Sequence, residues 1–177
     1  MKKCLNVGCG EDIKKTSKKE TWVNLDSLNL KGVDAVHDLN KLPWPFKENT
    51  FDKIYASHIL EHVDNLIEVM KEIKRVCKNG AKVVIRVPHF SCGVSYRDPT
   101  HKRLFSYFTY DYFSTECFYD TPKFKILDRK LNFTRQSFTG LNKIFNPLIN
   151  INPAIYERFF CWMLPCAESL FILEAVK

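Results

Sequence analysis

Short apolar runs alternate with polar segments through the first half of the chain. Five of these runs have the length of β-strands, namely KCLNVGC, TWVNLD, VDAVHDL, FDKIYAS and AKVVIRVP. Short strands separated by polar or periodic segments are typical of a parallel sheet in an α/β fold. Two further strand patterns, KFKILDRKLNF and ESLFILEAVK, occur later in the chain. The alternation therefore predicts an α/β domain.

The segment DNLIEVMKEIKRVCKNG, between the fourth and fifth strands, has the periodicity of a helix with one apolar face. Asp64 is expected to cap its start, and Gly80 to close its end. Only residues 27–33 separate the second strand from the third, too few for a crossover helix. One or two helices of a regular α/β fold are therefore expected to be reduced to turns. The apolar positions of the predicted helix are Leu66, Val69, Met70, Ile73, Val76 and Cys77.

The second half of the chain is irregular and rich in aromatic side chains. The stretch after Pro88 carries too many rings for a simple exposed loop, and we expect it to form a helical lid or cover. Prolines interrupt the region after the next strand, in which YERFFCWMLP predicts a short helix. We interpret both regions as insertions into a single domain of residues 1–177. The rings of the predicted lid are Phe105, Tyr107, Phe108, Tyr110, Tyr112 and Phe113.

Composition adds few constraints to this picture. With 177 residues, 45% of them hydrophobic, the chain can fold as one domain without a disulfide or a metal. Its seven cysteines are scattered and form no C-x-x-C pair, so they indicate neither a disulfide framework nor a zinc ribbon. No stretch has signal-peptide character or the length of a membrane span, and we expect a cytoplasmic protein. The net charge of +7 is weak evidence for an anionic partner such as a phosphorylated substrate, nucleic acid or a lipid surface.

Candidate chemistry begins where the predicted strands end. The first strand runs into Gly8-Cys9-Gly10, a sequence that permits a tight turn and lets a ligand approach the backbone closely. Asp26 ends the second strand, where nucleoside-binding sheets place a carboxylate that accepts hydrogen bonds from both ribose hydroxyls. Asp38 ends the third strand and could accept from the exocyclic amine of an adenine, or simply cap a turn. Together these positions favour a nucleoside-binding edge of the sheet.

His58, Glu61 and His62 have the H-x-x-E-H spacing of some zinc hydrolases. On one helix the three side chains would share a face. The predicted fourth strand ends at Ser57, however, so the motif straddles a junction between strand and helix, and no spacing identifies a third ligand. We therefore expect no metal here, and we expect Glu61 and His62 to hydrogen-bond local backbone.

Five segments in register resemble the class I S-adenosylmethionine-dependent methyltransferases, especially small bacterial and archaeal members. They are LNVGCG, WVNLD, HDLNKLPWPFKENTFD, ASHILEHV and RVCKNGAKVVIRVP, and they cover the chain from about Lys3 to Pro88. The resemblance implies a Rossmann-like sheet of seven mostly parallel strands with an antiparallel last strand. It also implies S-adenosyl-L-methionine as cofactor, with a cofactor-binding half at residues 1–88 and a substrate-side half, carrying the lid and the last two strands, at residues 89–177.

The same resemblance assigns cofactor contacts. Asp26 would hold the ribose, and Asp38 with Leu39 would meet the adenine. Asn6 stands where such families often carry an acid, and Asp12 where they carry a third glycine, which weakens the expected grip on the cofactor's ammonium group. The other contacts would come from Gly8, Cys9 and Gly10 along the methionine and ribose, and from Ser57 and His58 at the methionine end.

Ligands of open α/β sheets bind beyond the carboxyl ends of the strands, so we expect the methyl acceptor there. His89 comes directly after the fifth strand and is the first candidate for a general base. His101, within DPTHKR, is the second candidate. Tyr107 and Tyr110 are candidates to line the substrate pocket. Packing or capping is the alternative for each of these residues.

The residues directly after the fourth strand narrow the class of acceptor. Enzymes that methylate base or glutamine amines carry an Asn- or Asp-Pro-Pro-aromatic turn there, and cytosine C5 enzymes a Pro-Cys pair, whereas this chain reads Ser57-His58-Ile59. A small molecule, a sugar or a lipid-linked glycan, methylated on O or N, therefore fits better than nucleic acid. Two alternatives stay open: a dinucleotide-dependent oxidoreductase, which would require a glycine in place of Ile13, and a nucleoside-binding protein without activity.

Overall fold

Seven strands form one sheet in the order β3-β2-β1-β4-β5-β7-β6 in the computed structural model, which describes residues 1–177. The first five strands run parallel, and β7 is antiparallel to both of its neighbours, β5 and β6. The predicted seven-stranded sheet with an antiparallel last strand is confirmed. The strands are β1 (Lys2–Val7), β2 (Glu20–Asp26), β3 (Ala35–Val36), β4 (Phe51–Ser57), β5 (Cys77–Pro88), β6 (Phe124–Asn132) and β7 (Glu168–Ala175).

The two edges of the sheet differ in length. At one edge β3 has only two residues, and at the other β6 has nine, with a register shift between Ile126 and Asp128 against β7. The strand order reverses between β1 and β4, since β2 lies on one side of β1 and β4 on the other. In open α/β sheets such a reversal opens a crevice at the carboxyl ends of the strands.

Helix α1 (Leu66–Val76) connects β4 to β5 and buries Val69, Met70, Ile73 and Val76. The predicted apolar face is therefore confirmed, but both predicted ends were wrong. The cap is Asn65, whose side chain accepts from the N–H groups of Ile67 and Glu68, and the helix ends at Cys77. Gly80 instead lies within β5, with a positive φ of 75°.

None of the three connections between the first four strands contains a helix, so more helices are missing than the one or two that the short spacers predicted. The loop between β3 and β4 covers the sheet with Trp44, which is only 2% exposed. Its indole N–H donates to the carbonyl of Leu39 over 3.2 Å, and its backbone N–H donates to the Glu72 carboxylate over 2.6 Å. One large ring thus takes the place of a packed helix.

The predicted helical lid is wrong. Between β5 and β6 the only helical segments are α2 (Val94–Arg97) and a 3₁₀ turn (Thr109–Phe113). Tyr110 is fully buried and its ring centre lies 4.5 Å from that of Phe171 on β7. The rings of this segment complete the core because no long helix comes after β5 on that face of the sheet. Tyr112, by contrast, is 55% exposed.

Before β7 the chain forms α3 (Asn142–Ile151), α4 (Pro153–Ile155) and a π turn (Tyr156–Phe160). Their inner side chains build a second small core with Leu131 of β6. The exposed apolar side chains of these elements and of the turn that follows them make up what we call the apolar face. No helix of the protein has the length and apolar character needed to cross a membrane. The apolar face consists of Ile144, Leu148, Ile151, Ile155, Phe159, Phe160, Trp162 and Met163.

Candidate functional site

The turn after β1 depends on two glycines in the left-handed region. Gly8 has φ of 60°, and a Cβ there would overlap with the side chain of Ile59. Gly10 has φ of 48°, and no atom lies within 4 Å of where its Cβ would be. The first glycine therefore allows close packing, and the second leaves an open cradle beside the backbone.

Asp26, at the end of β2, is held against this turn. One carboxylate oxygen accepts from the Gly10 N–H over 2.8 Å, and the other accepts from the Leu28 N–H over 3.0 Å. Each oxygen keeps a further lone pair that a ligand hydroxyl could use. Cys9, between the glycines, is buried, and burial, followed by the charge of Asp26, raises the pKa of its thiol to about 11. Only the backbone of Cys9 is therefore available to a ligand.

A cavity of about 150 Å³ lies at this point, which we call the switch-point cavity. It brings together the predicted Gly8, Asp26, Asp38 and Leu39. Its volume is below the roughly 300–1,000 Å³ of common ligand pockets, so it would enclose one end of a nucleoside cofactor while the rest lies over the open side at Gly10. The carboxylates and the cradle fit an adenosine group. The remaining lining residues are Ser27, Asn40, Ile59, His62 and Val63.

Ser57 and His58 do not line the switch-point cavity. His58 has φ of 54°, and its Nε2 lies 3.1 Å from a carboxylate oxygen of Glu168, at the start of β7. Its Nδ1 lies 3.5 Å from the Glu61 carboxylate. Burial lowers the pKa of His58, but the contacts with Glu168 and Glu61 raise it overall above its usual value. Ile59 and His62, from the same turn, line the cavity instead.

His89 is fully buried and both of its ring nitrogens have partners. Nδ1 lies 2.8 Å from the Ser91 hydroxyl, and Nε2 lies 3.0 Å from the Glu157 carboxylate. Burial raises the pKa of Glu157, but hydrogen bonds from His89, the Tyr107 N–H and the Ser106 hydroxyl outweigh it and lower the pKa overall. The arrangement ties the end of β5 to the π turn. A general-base role for His89 stays a prediction that this geometry does not favour.

The two predicted substrate tyrosines lie outside the switch-point cavity. Tyr110 belongs to the hydrophobic core and its hydroxyl reaches no solvent, so it cannot line an open acceptor pocket. Tyr107 borders a separate groove of about 850 Å³ along β6, which shares no residue with the switch-point cavity. No residue of the glycine turn lines this groove.

His101 does reach the site, through a contact that the sequence did not reveal. Its ring centre lies 4.7 Å from that of His62, which lines the switch-point cavity. Glu61, His62 and His101, which we call the histidine cluster, each offer a metal-ligand atom within 4.8 Å of the others. The structure confirms that the H-x-x-E-H motif is not helical, since β4 ends at Ser57 and α1 begins at Leu66. It also brings His62, in the second half of the motif, next to His101, which lies about 40 positions further along the chain.

Comparisons with known proteins agree with the glycine turn and the strand order. Residues 5–85 match the family model described as a methyltransferase domain. The sterol 4-C-methyltransferase of Caenorhabditis elegans is 33% identical over 101 residues, which are 46% of this chain and 30% of that protein. The demethylmenaquinone methyltransferase of Bacillus mycoides is 37% identical over 60 residues, 34% of this chain and 25% of that protein. The chain thus spans less than a third of the length of these relatives.

Solved structures extend the likeness to the whole fold. A SAM-dependent methyltransferase from Archaeoglobus fulgidus superposes with a TM-score of 0.61 at 17% identity, covering 98% of this chain and 86% of that one. A methyltransferase solved with the Haloferax volcanii Trm112 activator gives a TM-score of 0.63 at 14% identity, covering 99% of this chain and 83% of that one. At sequence identities of 14% and 17%, this structural likeness establishes a shared fold.

Proposed function

We propose that this chain is a class I S-adenosylmethionine-dependent methyltransferase, which binds S-adenosylmethionine at the switch-point cavity and methylates a small molecule, a sugar or a lipid-linked glycan; the methyltransferase-domain match over residues 5–85 and the fold support this. The observation that carries the proposal is the carboxylate of Asp26, fixed by two backbone N–H groups beside the open cradle at Gly10. Two carboxylate oxygens that are already oriented at this point suit hydrogen bonds from the two hydroxyls of a ribose.

Other residues of the cavity would hold the rest of the cofactor. Asp38 and Leu39 would contact the adenine, and one Asp38 oxygen is already fixed by the Asn40 N–H over 3.0 Å. The backbone from Gly8 to Gly10 would run along the ribose and methionine. Ser57 would border the methionine end, whereas the ring of His58 is held by Glu168 and Glu61. His62 would contact the cofactor from within the cavity.

When bound, S-adenosylmethionine supplies a sulfonium methyl group that a nucleophile can displace in line. The protein's own contribution is alignment of the two reactants and exclusion of water, which can be worth about 7–11 kcal/mol. A base is needed only if the acceptor must lose a proton, as a hydroxyl does. His89 is poorly placed for that task, because it is fully buried and both of its ring nitrogens have partners.

The apolar face supports an acceptor presented at a lipid surface. Trp162 and Phe159 are 65% and 66% exposed, and the basic Lys143 and Arg158 lie on the same segment. Exposed apolar and basic side chains on short helices are typical of segments that lie in the interface of an anionic membrane. The names of the relatives, a sterol and a demethylmenaquinone methyltransferase, are compatible with this choice. We propose that the protein works on the cytoplasmic side of such a surface.

Ligand binding tests the cofactor and product formation tests the reaction. Thermal unfolding is measured with S-adenosylhomocysteine, with NAD and without ligand. A ligand at 100 times its dissociation constant stabilises the folded protein by about 2.7 kcal/mol, which raises the unfolding temperature by several degrees. We expect a shift with S-adenosylhomocysteine alone. A shift with NAD alone would overturn the proposal in favour of an oxidoreductase.

Transfer of a labelled methyl group from S-adenosylmethionine is then measured with short-chain lipid-linked sugars and with the free sugars, in the presence of anionic vesicles. We expect product from the lipid-linked series. Binding of S-adenosylhomocysteine without product from either series would support a nucleoside-binding protein and overturn the choice of acceptor.

A further inference from the structure

We propose that the histidine cluster binds a divalent transition-metal ion, with Glu61, His62 and His101 as ligands. Two imidazoles and a carboxylate form a ligand set that suits zinc. Neither the methyltransferase fold nor the proposed cofactor site requires such an ion, and the sequence led us to expect none.

The three ligands come from two segments that tertiary contacts bring together. One ligand atom of each residue lies within 4.8 Å of those of the other two. Ligand atoms around a tetrahedral zinc ion with bonds of about 2.0–2.2 Å are about 3.3–3.6 Å apart, so pairs of ligand atoms would move together by up to about 1.5 Å on an ion. That movement is within the reach of side-chain rotation.

Hydrogen bonds orient both histidines, and for His62 they also fix which ring nitrogen carries the proton. Thr100 donates its hydroxyl to Asp98 over 2.6 Å, so it accepts from Nδ1 of His62, 2.8 Å away. Nδ1 of His101 lies 3.3 Å from the carbonyl oxygen of Ser95, which can only accept. The His62 ring therefore carries its proton on Nδ1 and keeps a lone pair on Nε2. Nε2 of His101 lies 3.7 Å from a carboxylate oxygen of Asp98, so this ring offers its Nε2 lone pair to a metal when the proton is on Nδ1. Metal-binding histidines almost always donate their other N–H in this way.

Glu61 provides an independent observation. Its side chain is about 1% exposed, and its Oε2 is buried without any hydrogen-bond partner. A buried carboxylate oxygen without a partner is costly, and native structures leave few of them. Two imidazole lone pairs and this oxygen are all acceptors, so they cannot satisfy one another. A cation between them would satisfy all three.

A bound water is the competing explanation for Glu61. Nη1 of Arg103 and the hydroxyl of Tyr110 are also buried without partners, and the charges of Glu61 and Arg103 both act on Tyr110. A water that linked these groups would satisfy Glu61 without involving the histidines. The two explanations make different predictions, because only a metal site requires His62 and His101 for metal binding.

The test measures metal binding directly, on the full chain without S-adenosylmethionine. Chelator-treated protein is titrated with Zn²⁺ against a chromophoric chelator, and with Co²⁺ while the visible spectrum is recorded. We expect one equivalent of each ion, with the visible bands of a low-coordinate Co²⁺ site and without thiolate charge-transfer bands. Absence of stoichiometric binding, or thiolate bands that place the ion on cysteines, would overturn the proposal.

Variants identify the ligands. We expect His101→Ala and His62→Ala to weaken zinc binding at least about a hundredfold, and Thr100→Val to weaken it about 10–100-fold because it removes the partner of the His62 N–H. His37→Ala is the matched control, since the His37 ring lies outside the cluster and contacts the Lys41 carbonyl. Should an alanine variant unfold, Glu61→Gln keeps the side-chain volume and tests the third ligand. Equal zinc affinity in all variants would contradict the site.

Discussion

The carboxylate of Asp26 accepts a hydrogen bond of 2.8 Å from the backbone N–H of Gly10. This contact ties the end of β2 to the turn after β1, across the strand pair that borders the switch-point cavity. A single side chain therefore both shapes the turn and presents acceptors to the cavity. Its removal should affect ligand binding more than it affects the fold.

We expect Asp26→Ala to weaken binding of S-adenosylhomocysteine about 10–100-fold, measured by calorimetry, because a charged hydrogen-bonding group worth about 1.5–3 kcal/mol is lost. Asp52→Ala is the matched control. The Asp52 carboxylate also accepts from a backbone N–H, that of Lys3, but it lies at the opposite end of the strands. Equal affinities in the two variants would show that the ribose assignment is wrong.

The two glycines of the turn should respond differently to alanine. Gly8→Ala places a Cβ against Ile59 and should destabilise the fold by about 1–3 kcal/mol in chemical denaturation. Gly10→Ala meets no atom within 4 Å but is strained at φ of 48°, which costs about 1–2 kcal/mol of stability; in addition we expect weaker cofactor binding through the filled cradle. Gly93→Ala, at φ of −57° with open space around it, is the control that should change neither. If Gly10→Ala bound the cofactor as tightly as wild type, the cradle would not be part of the cofactor site.

Glu168 should contribute a pH-dependent part of the stability. Burial raises its pKa, but hydrogen bonds from His58, Arg86 and Asn132 outweigh it and lower the pKa from 4.5 to about 2. Since the folded state holds the proton less tightly than the unfolded state, the stabilisation is full above pH 4.5 and disappears as the pH falls towards 2. It amounts to on the order of 3 kcal/mol.

Denaturation of the wild type and of Glu168→Gln across this range measures the effect. We expect the gap between the two unfolding free energies to close as the pH falls from about 5 towards 2. The gap should also narrow as the pH rises through the pKa of His58, because the protonated ring loses the charge that its contact with Glu168 stabilises. Glu174→Gln, on the same strand and without a salt bridge, should differ little from wild type. A gap that widens as the pH falls from about 5 towards 2 would contradict the assignment.

The apolar face should be needed for membrane binding and dispensable for folding. The double variant Phe159→Ser, Trp162→Ser should sediment less with vesicles containing phosphatidylglycerol, with the free energy of unfolding changed by no more than about 0.5 kcal/mol per site. Phe118→Ser is the control, because Phe118 is 90% exposed but lies before β6, outside the apolar face. Equal loss of sedimentation in the control would point to nonspecific adhesion.

The sheet could be predicted from sequence because its signals are local. Alternation over a few residues identified β4 at Phe51–Ser57, and spacer lengths showed where helices are missing. The ends of α1 were less certain because Asp64 and Asn65 are both good caps, and only the backbone geometry selects Asn65. Propensity alone does not distinguish adjacent capping residues.

The lid and the histidine cluster could not be predicted because they depend on contacts between distant segments. An aromatic run is the same in sequence whether it covers a pocket or fills a core, and Tyr110 fills the core because the sheet face after β5 has no helix over it. Likewise, nothing local to DPTHKR shows that His101 meets His62. The Asp-x-Thr-His pattern could have raised the question, since it supplies a hydroxyl and an imidazole together.

The unequal edges of the sheet have a consequence for self-association. Exposed edge strands are templates on which other chains can add strands and aggregate. Here β3 offers only two residues, and β6 combines its register shift with Lys125, Asp128, Arg129 and Lys130. Neither edge presents a long, flat, apolar ladder. If copies of this chain associate at high concentration, we expect them to contact one another through their helices. Detergent should prevent this contact, and the products should be soluble oligomers and not fibrils.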